Sequence, residues 1–124
     1  MKIICVGQNY LEHIKELSNV KSKEPLIFLK PDTALISKGR SFFIPNFSKE
    51  IHYELEIVIK IKKPGRYIER KYSNQYYDEI TVGIDFTARD LQKKLREKGY
   101  PWEKSKGFDS STLVGNFLNK NDLP

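Results

Sequence analysis

The chain has 124 residues, 39% of them hydrophobic, with seven Tyr and seven Phe; this is the size and composition of one folded domain and excludes a disordered or low-complexity protein. The net charge of +6 comes from 22 Lys and Arg interleaved with 16 Asp and Glu, a diffuse positive field suited to a small anion. There is no basic stripe of the kind nucleic acid requires beyond the weak "RYIERKYSNQYY" (66–77). The single cysteine, Cys5, excludes an internal disulfide framework and fits a reducing, cytoplasmic setting; no segment has the apolar length of a membrane span or the form of a signal peptide.

In chain order, "KIICVG" reads as an opening strand closed by Gly7, and "NYLEHIKEL" as a short helix with Leu11, Ile14 and Leu17 on its apolar side. "SNVKSKE" (18–24) is a loop, and "PLIFLKP" (25–31) a strand bracketed by prolines that disfavour helix. "TALISKGRSFFIP" suggests two short strands around a Lys-Gly turn. "IHYELEIVIKI" (51–61) alternates as a strand, followed by a turn at Pro64-Gly65. Residues 67–78 lack a clean period and read as loop or irregular helix, and "EITVGIDF" (79–86) returns to strand. "TARDLQKKLREKG" is the best helix, with Thr87 as its N-cap, Asp90 three residues on, Ala88, Leu91 and Leu95 as its buried stripe, and Gly99 at its C-terminal stop. The remaining tail has loop composition with scattered strand potential. Many short strands with few helices describe a β-rich α+β domain rather than an alternating parallel sheet.

Within 51–61 the apolar row is Tyr53, Leu55, Ile57, Ile59 and Ile61, while Glu54 and Glu56 share the other face, roughly 7 Å apart, where they repel. Taken alone they are a surface pair. A hard divalent cation is the alternative, because it takes several carboxylate oxygens, and Asp85 at a strand-to-helix junction is the candidate third acid. His13 and Glu16, three apart on the first helix, are either a surface ion pair or a general base with its orienting carboxylate. Lys30, Lys106, Arg89 and Gln92 are weak signals singly; their conjunction with the acids is stronger.

Five motifs in order, "CVGQNYLEHIKEL", "PLIFLKP", "IHYELEIVI", "IDFTARDLQ" and "GYPWEKSKGFD", resemble the fumarylacetoacetate hydrolase family, and within it the small acylpyruvase-like, domain-containing branch. The resemblance implies a mixed β-roll with short helices, a homodimer, and Mg²⁺ or Mn²⁺ (with Ca²⁺ able to substitute in crystals) held by Glu54, Glu56 and Asp85. It implies His13 and Glu16 as a water-activating dyad on a mobile lid, Lys106 supporting developing negative charge, and Arg89, Gln92 and Lys30 at the substrate, Lys30 also having a structural reading. The implied reaction is metal-dependent cleavage of a carbon–carbon bond in an acylpyruvate or related 2-oxo acid through a stabilised enolate. The alternatives are an isomerase or oxaloacetate decarboxylase on the same acids, or a truncated, non-catalytic domain that binds metal or metabolite. Residues 1–124 correspond to the N-terminal and central part of one catalytic domain; members of the family continue further, so the roll is expected to be incomplete, with apolar surface exposed. Ile57 and Ile84 depart from the family pattern without touching a proposed ligand. Neither nucleic acid nor membrane is an expected partner.

Overall fold

The computed structural model describes residues 1–10 and 24–123. The expected first helix, with His13 and Glu16, lies outside the described residues. A two-stranded antiparallel sheet pairs β1 (Ile3–Gly7) with β2 (Leu26–Lys30), putting Ile3, Cys5 and Gly7 opposite Lys30, Phe28 and Leu26. A second antiparallel sheet is built on β3 (Ile51–Ile61) and β4 (Tyr77–Ala88), which pair along nearly their whole lengths. β5 (Thr112–Val114) and β6 (Leu118–Asn119) both add to β4. The β-rich α+β architecture expected from the sequence is the one observed.

Helix α1 (Arg89–Glu97) follows β4 directly and ends two residues before Gly99, which has φ +66° as a left-handed helix stop requires. A second, four-residue helix, α2 (Glu103–Lys106), was not legible in the tail; its last residue delivers Lys106 to the inner face of β4. Residues 70–76 form a 3-10 turn, the irregular-helix alternative for that stretch.

Two expectations are corrected. The stretch 33–45 holds no pair of strands: it has a 3-10 turn at Asp32–Ala34 and a single bridge from Leu35 to Thr112, with Phe42 stacked on Phe86. Its backbone is tied by Ile36 N–H donating to the Thr112 carbonyl, which leaves no second strand to pair with. Thr87 is not the helix cap: β4 runs on through it, Ala88 takes the cap position, and the Thr87 hydroxyl is spent elsewhere. Asp90 instead ties down the loop before β3, accepting from the Ser48 hydroxyl at 2.5 Å and Lys49 N–H at 3.2 Å.

Strand register also assigns the two faces of the main sheet. Register pairs Tyr53 with Phe86, Leu55 with Ile84, Ile57 with Val82 and Ile59 with Ile80, so the apolar rows of both strands form one face. That face is the exposed one: Tyr53, Leu55 and Ile57 are 77%, 68% and 62% exposed. The opposite face carries Glu54 against Asp85 and Glu56 against Gly83 and is partly or fully buried. Among the described residues the buried apolar side chains are Ala34 and Ala88 alone, whereas Lys30, Asp85, Thr87, Gln92, Ser105, Lys106 and Ser111 are all buried. The interior formed by the described residues is polar. Among the described residues no helix is long and apolar enough to cross a membrane.

Gly83 lets β3, β4 and β5 close over that interior. A Cβ there would lie 2.8 Å from both the Leu113 carbonyl oxygen and Val58 Cγ2. Gly83→Ala is expected to destabilise the folded chain by about 1–3 kcal/mol through overpacking, read as a lower urea midpoint. Adding Val58→Ala should recover only part, because the backbone clash remains.

Candidate functional site

Period-2 alternation places His52, Glu54 and Glu56 on the inner face of β3, and Gly83, Asp85 and Thr87 on the inner face of β4. Lys106 enters from α2. Its Nζ donates to Glu54 Oε2, to Asp85 Oδ2 at 2.7 Å and to Thr87 Oγ1 at 2.6 Å, which uses all three ammonium protons. The Thr87 hydroxyl, fully buried, donates in turn to Glu54 Oε2 at 2.8 Å. Lys30, from the second sheet, takes the other oxygen of Asp85 at 2.5 Å and the Ser111 carbonyl at 2.8 Å. Ser111 closes the circuit by donating its hydroxyl to the Lys106 carbonyl at 2.8 Å. Two ammonium groups and two carboxylates thus tie β2, β3, β4 and α2 into one unit.

Arg89 opens the second tier. One guanidinium nitrogen donates to Glu54 Oε1 at 2.6 Å, another to Gln92 Oε1 at 2.5 Å, and Nε donates to His52 Nδ1 at 3.2 Å. The structure therefore brings together Lys30, Glu54, Asp85, Arg89, Gln92 and Lys106, with Glu56 beside them on β3. His13 and Glu16 fall outside the described residues.

Electrostatics separate the acids. Burial by itself would raise Glu54, but Lys106 and Arg89 outweigh it and hold the carboxyl down at about 2. Glu56 goes the other way: burial, then the charges of Glu54 and Asp85, push it above the usual carboxylate range, against a hydrogen bond from Tyr10. Burial lowers Lys30 against the pull of Asp85. Cys5 is raised to about 11 by burial and then by Asp85, so the thiol stays protonated and unreactive at neutral pH.

The donor chemistry suits a hard divalent cation: three carboxylates on one sheet face. As the side chains stand, Lys106 occupies the space between Glu54 and Asp85, and no trio of acids, histidines or cysteines among the described residues surrounds a common metal position. Two observations favour the cation nonetheless. Glu56 is the acid whose ionisation its surroundings oppose, and Thr112 Oγ1, on the strand position in register with Asp85, is buried without a hydrogen-bond partner among the described residues. The residue set fits a metal with its waters, provided Lys106 yields part of its hold.

Thr87 and His52 were missed as site residues in the sequence, although each lies two positions from a chosen acid and shares its face. Thr87→Val, which keeps the shape and removes the hydroxyl, is expected to cost about 1–3 kcal/mol in chemical denaturation by leaving buried charged groups short of a partner. Thr87→Ser, which keeps the hydroxyl, should cost distinctly less.

The model of the fumarylacetoacetate (FAA) hydrolase C-terminal family matches residues 2–124. An uncharacterised protein of Pyrococcus horikoshii is 40% identical over 114 residues, covering 92% of this chain and 50% of its own length. The mitochondrial oxaloacetate tautomerase of Homo sapiens is 34% identical over 122 residues, covering 98% of this chain and 55% of the tautomerase. The crystal structure of fumarylpyruvate hydrolase from Pseudomonas aeruginosa in complex with Mn²⁺ and pyruvate superposes with a TM-score of 0.89 at 34% identity, over 98% of this chain and 55% of that one. This chain spans about half the length of the curated relatives it matches.

Proposed function

The chain belongs to the fumarylacetoacetate hydrolase family, and on that premise we propose that it supplies the acid cluster of an enzyme acting on 2-oxo acids through their enolates. The observation that carries the reading is the shared inner face of Glu54, Glu56 and Asp85, on which ammonium groups hold Glu54 and Asp85 and leave Glu56 beside them. These three acids would hold Mg²⁺ or Mn²⁺; the relative bound to Mn²⁺ and pyruvate supports that choice. When bound, the cation would supply Lewis acidity toward the carboxylate and adjacent carbonyl oxygen of a 2-oxo acid.

The chain's own groups do the rest. Lys106 and Lys30 fix Asp85 in place, and Arg89 with Lys106 keeps Glu54 ionised and fixed, so the acids are positioned without having to reorganise. Arg89 and Gln92 flank the acids and supply donors for an anionic substrate. His13, oriented by Glu16, removes a proton from water as the oxygen adds to the distal carbonyl of an acylpyruvate. The carbon–carbon bond then breaks, its electron pair goes to pyruvate as the enolate, and the proton returns to that carbon. The products are pyruvate and a carboxylic acid.

A second reading is tautomerisation of a 2-oxo acid, favoured by relatives 34–37% identical that are named oxaloacetate tautomerases. It needs the same acids and a proton carrier but no attacking water.

Thermal-shift titration with Mg²⁺ and Mn²⁺, with and without oxalate as a mimic of the enolised acid, tests the cation site. Metal-dependent stabilisation that grows with oxalate and is lost in Glu54→Gln is expected; no shift under any condition would overturn the reading. His13→Ala should retain the metal response and lose pyruvate release from an acylpyruvate. Loss of hydrolysis with retained enol–keto exchange would place the two reactions on one site.

A further inference from the structure

Arg89 is held twice by the start of β3. Its backbone N–H donates to the Glu50 carbonyl at 2.8 Å, and its side-chain Nε–H donates to His52 Nδ1 at 3.2 Å. The second contact fixes the tautomer of the imidazole. A guanidinium N–H only donates, so Nδ1 is the bare nitrogen and the ring proton sits on Nε2, where it donates to Glu50 Oε1 at 3.0 Å. Glu50, His52 and Arg89 thus form a directed chain from solvent toward the acids: the Glu50 and His52 side chains are 54% and 43% exposed, that of Arg89 13%.

We propose that His52 is the positioning residue of Arg89, fixing the tilt of the guanidinium so that its remaining N–H groups meet an anionic group of the substrate; this rests on the 2-oxo acid chemistry proposed for the site. A guanidinium is planar and carries five N–H groups. Contacts among the described residues use three: Nε–H to His52, one terminal nitrogen to Gln92 at 2.5 Å, and the other to Glu54 at 2.6 Å. One N–H on each terminal nitrogen is left for an anion. Gln92 and Glu54 both grip the outer end of the group, whereas His52 grips it at Nε, next to the aliphatic stem, and so sets the plane. Because Arg89 is sheltered from water, loss of that acceptor leaves a charged donor without a partner, which the group relieves by turning. A neutral acceptor is what this place requires. A carboxylate at position 52 would add a second negative charge to a guanidinium that already faces Glu54 and would weaken its pull on an anion. The imidazole supplies the lone pair without the charge.

The test compares the native chain with His52→Phe and His52→Val, strand-forming residues without an acceptor, and with His52→Asn, whose Oδ1 stands where Nδ1 does. The first readout needs no turnover: hydrogen exchange at Arg89 Nε by NMR, the signal being assigned from its absence in Arg89→Lys. Exchange is expected to quicken about tenfold in the Phe and Val chains and to return toward the native rate with Asn. The second readout is oxalate affinity in the presence of Mn²⁺, expected to weaken roughly tenfold in the same two variants and to recover with Asn. The response to Mn²⁺ alone should hold, since Lys106 and Thr87 still fix Glu54. With an acylpyruvate, KM should rise by more than kcat falls. Amide exchange in β4 shows which variants fold; if neither acceptor-free chain folds, His52 is a structural residue and the proposal falls. Native Nε exchange or native oxalate affinity in a folded acceptor-free chain, or an Asn chain no better than Phe, overturns the role of His52 alone. A native chain without any Mn²⁺-dependent oxalate response overturns the 2-oxo acid reading, and this role with it.

Discussion

The bridge made by the Lys106 ammonium between Glu54 and Asp85 is the contact on which the described structure turns. Register sets these two acids opposite each other on adjacent strands, where like charges repel, and the face they occupy is largely closed to water. A cation between them offsets that repulsion. Lys106 supplies one, and its position requires α2, which in turn requires the loop through Ser111 that Lys30 and Lys106 both hold. Buried ion pairs are poor general sources of stability, because desolvation offsets much of the attraction; their strength is that breaking one leaves a charge stranded. Here the cluster specifies which strands and which helix meet.

That arrangement explains why the buried part of the chain is ionic and the exposed part apolar. A sheet with one charged and one apolar face ordinarily turns the apolar one inward. In this chain the elements that pack onto the main sheet, β2 and α2, approach the charged face instead. The apolar face is left exposed.

The small sheet also shapes the chemistry. β1 and β2 turn Cys5, Phe28 and Lys30 to one side, so Lys30 reaches Asp85 while Phe28 lies 5.3 Å beneath the Lys106 ammonium. Cys5 shares this environment but is held protonated by it, so the thiol acts as a small apolar filler beside the acids. The same field that holds Glu54 ionised leaves Glu56 uncompensated. One cluster therefore contains a saturated acid and an acid that still gains from a cation.

Much of this was legible in the sequence because strands and charges follow simple periodicities. Alternation in 51–61 and 79–86 located β3 and β4, and placed Glu54 and Glu56 on one face; motif resemblance joined Asp85, Lys106, Arg89, Gln92 and Lys30 to them, and the structure brings those residues together. The sequence could not say which face points inward, because period 2 separates two faces without naming the buried one. It also could not assign Thr87, whose local pattern favours a helix cap while β4, paired with β3 through Ala88, carries its hydroxyl to Glu54 and Lys106. Nor could it show the four-residue helix of Lys106, too short to leave a period. The sequence by itself determined the strands and the charged residue types of the site; the tertiary structure alone decided the burial of charge and exposure of the apolar face, because that depends on which elements pack against the sheet.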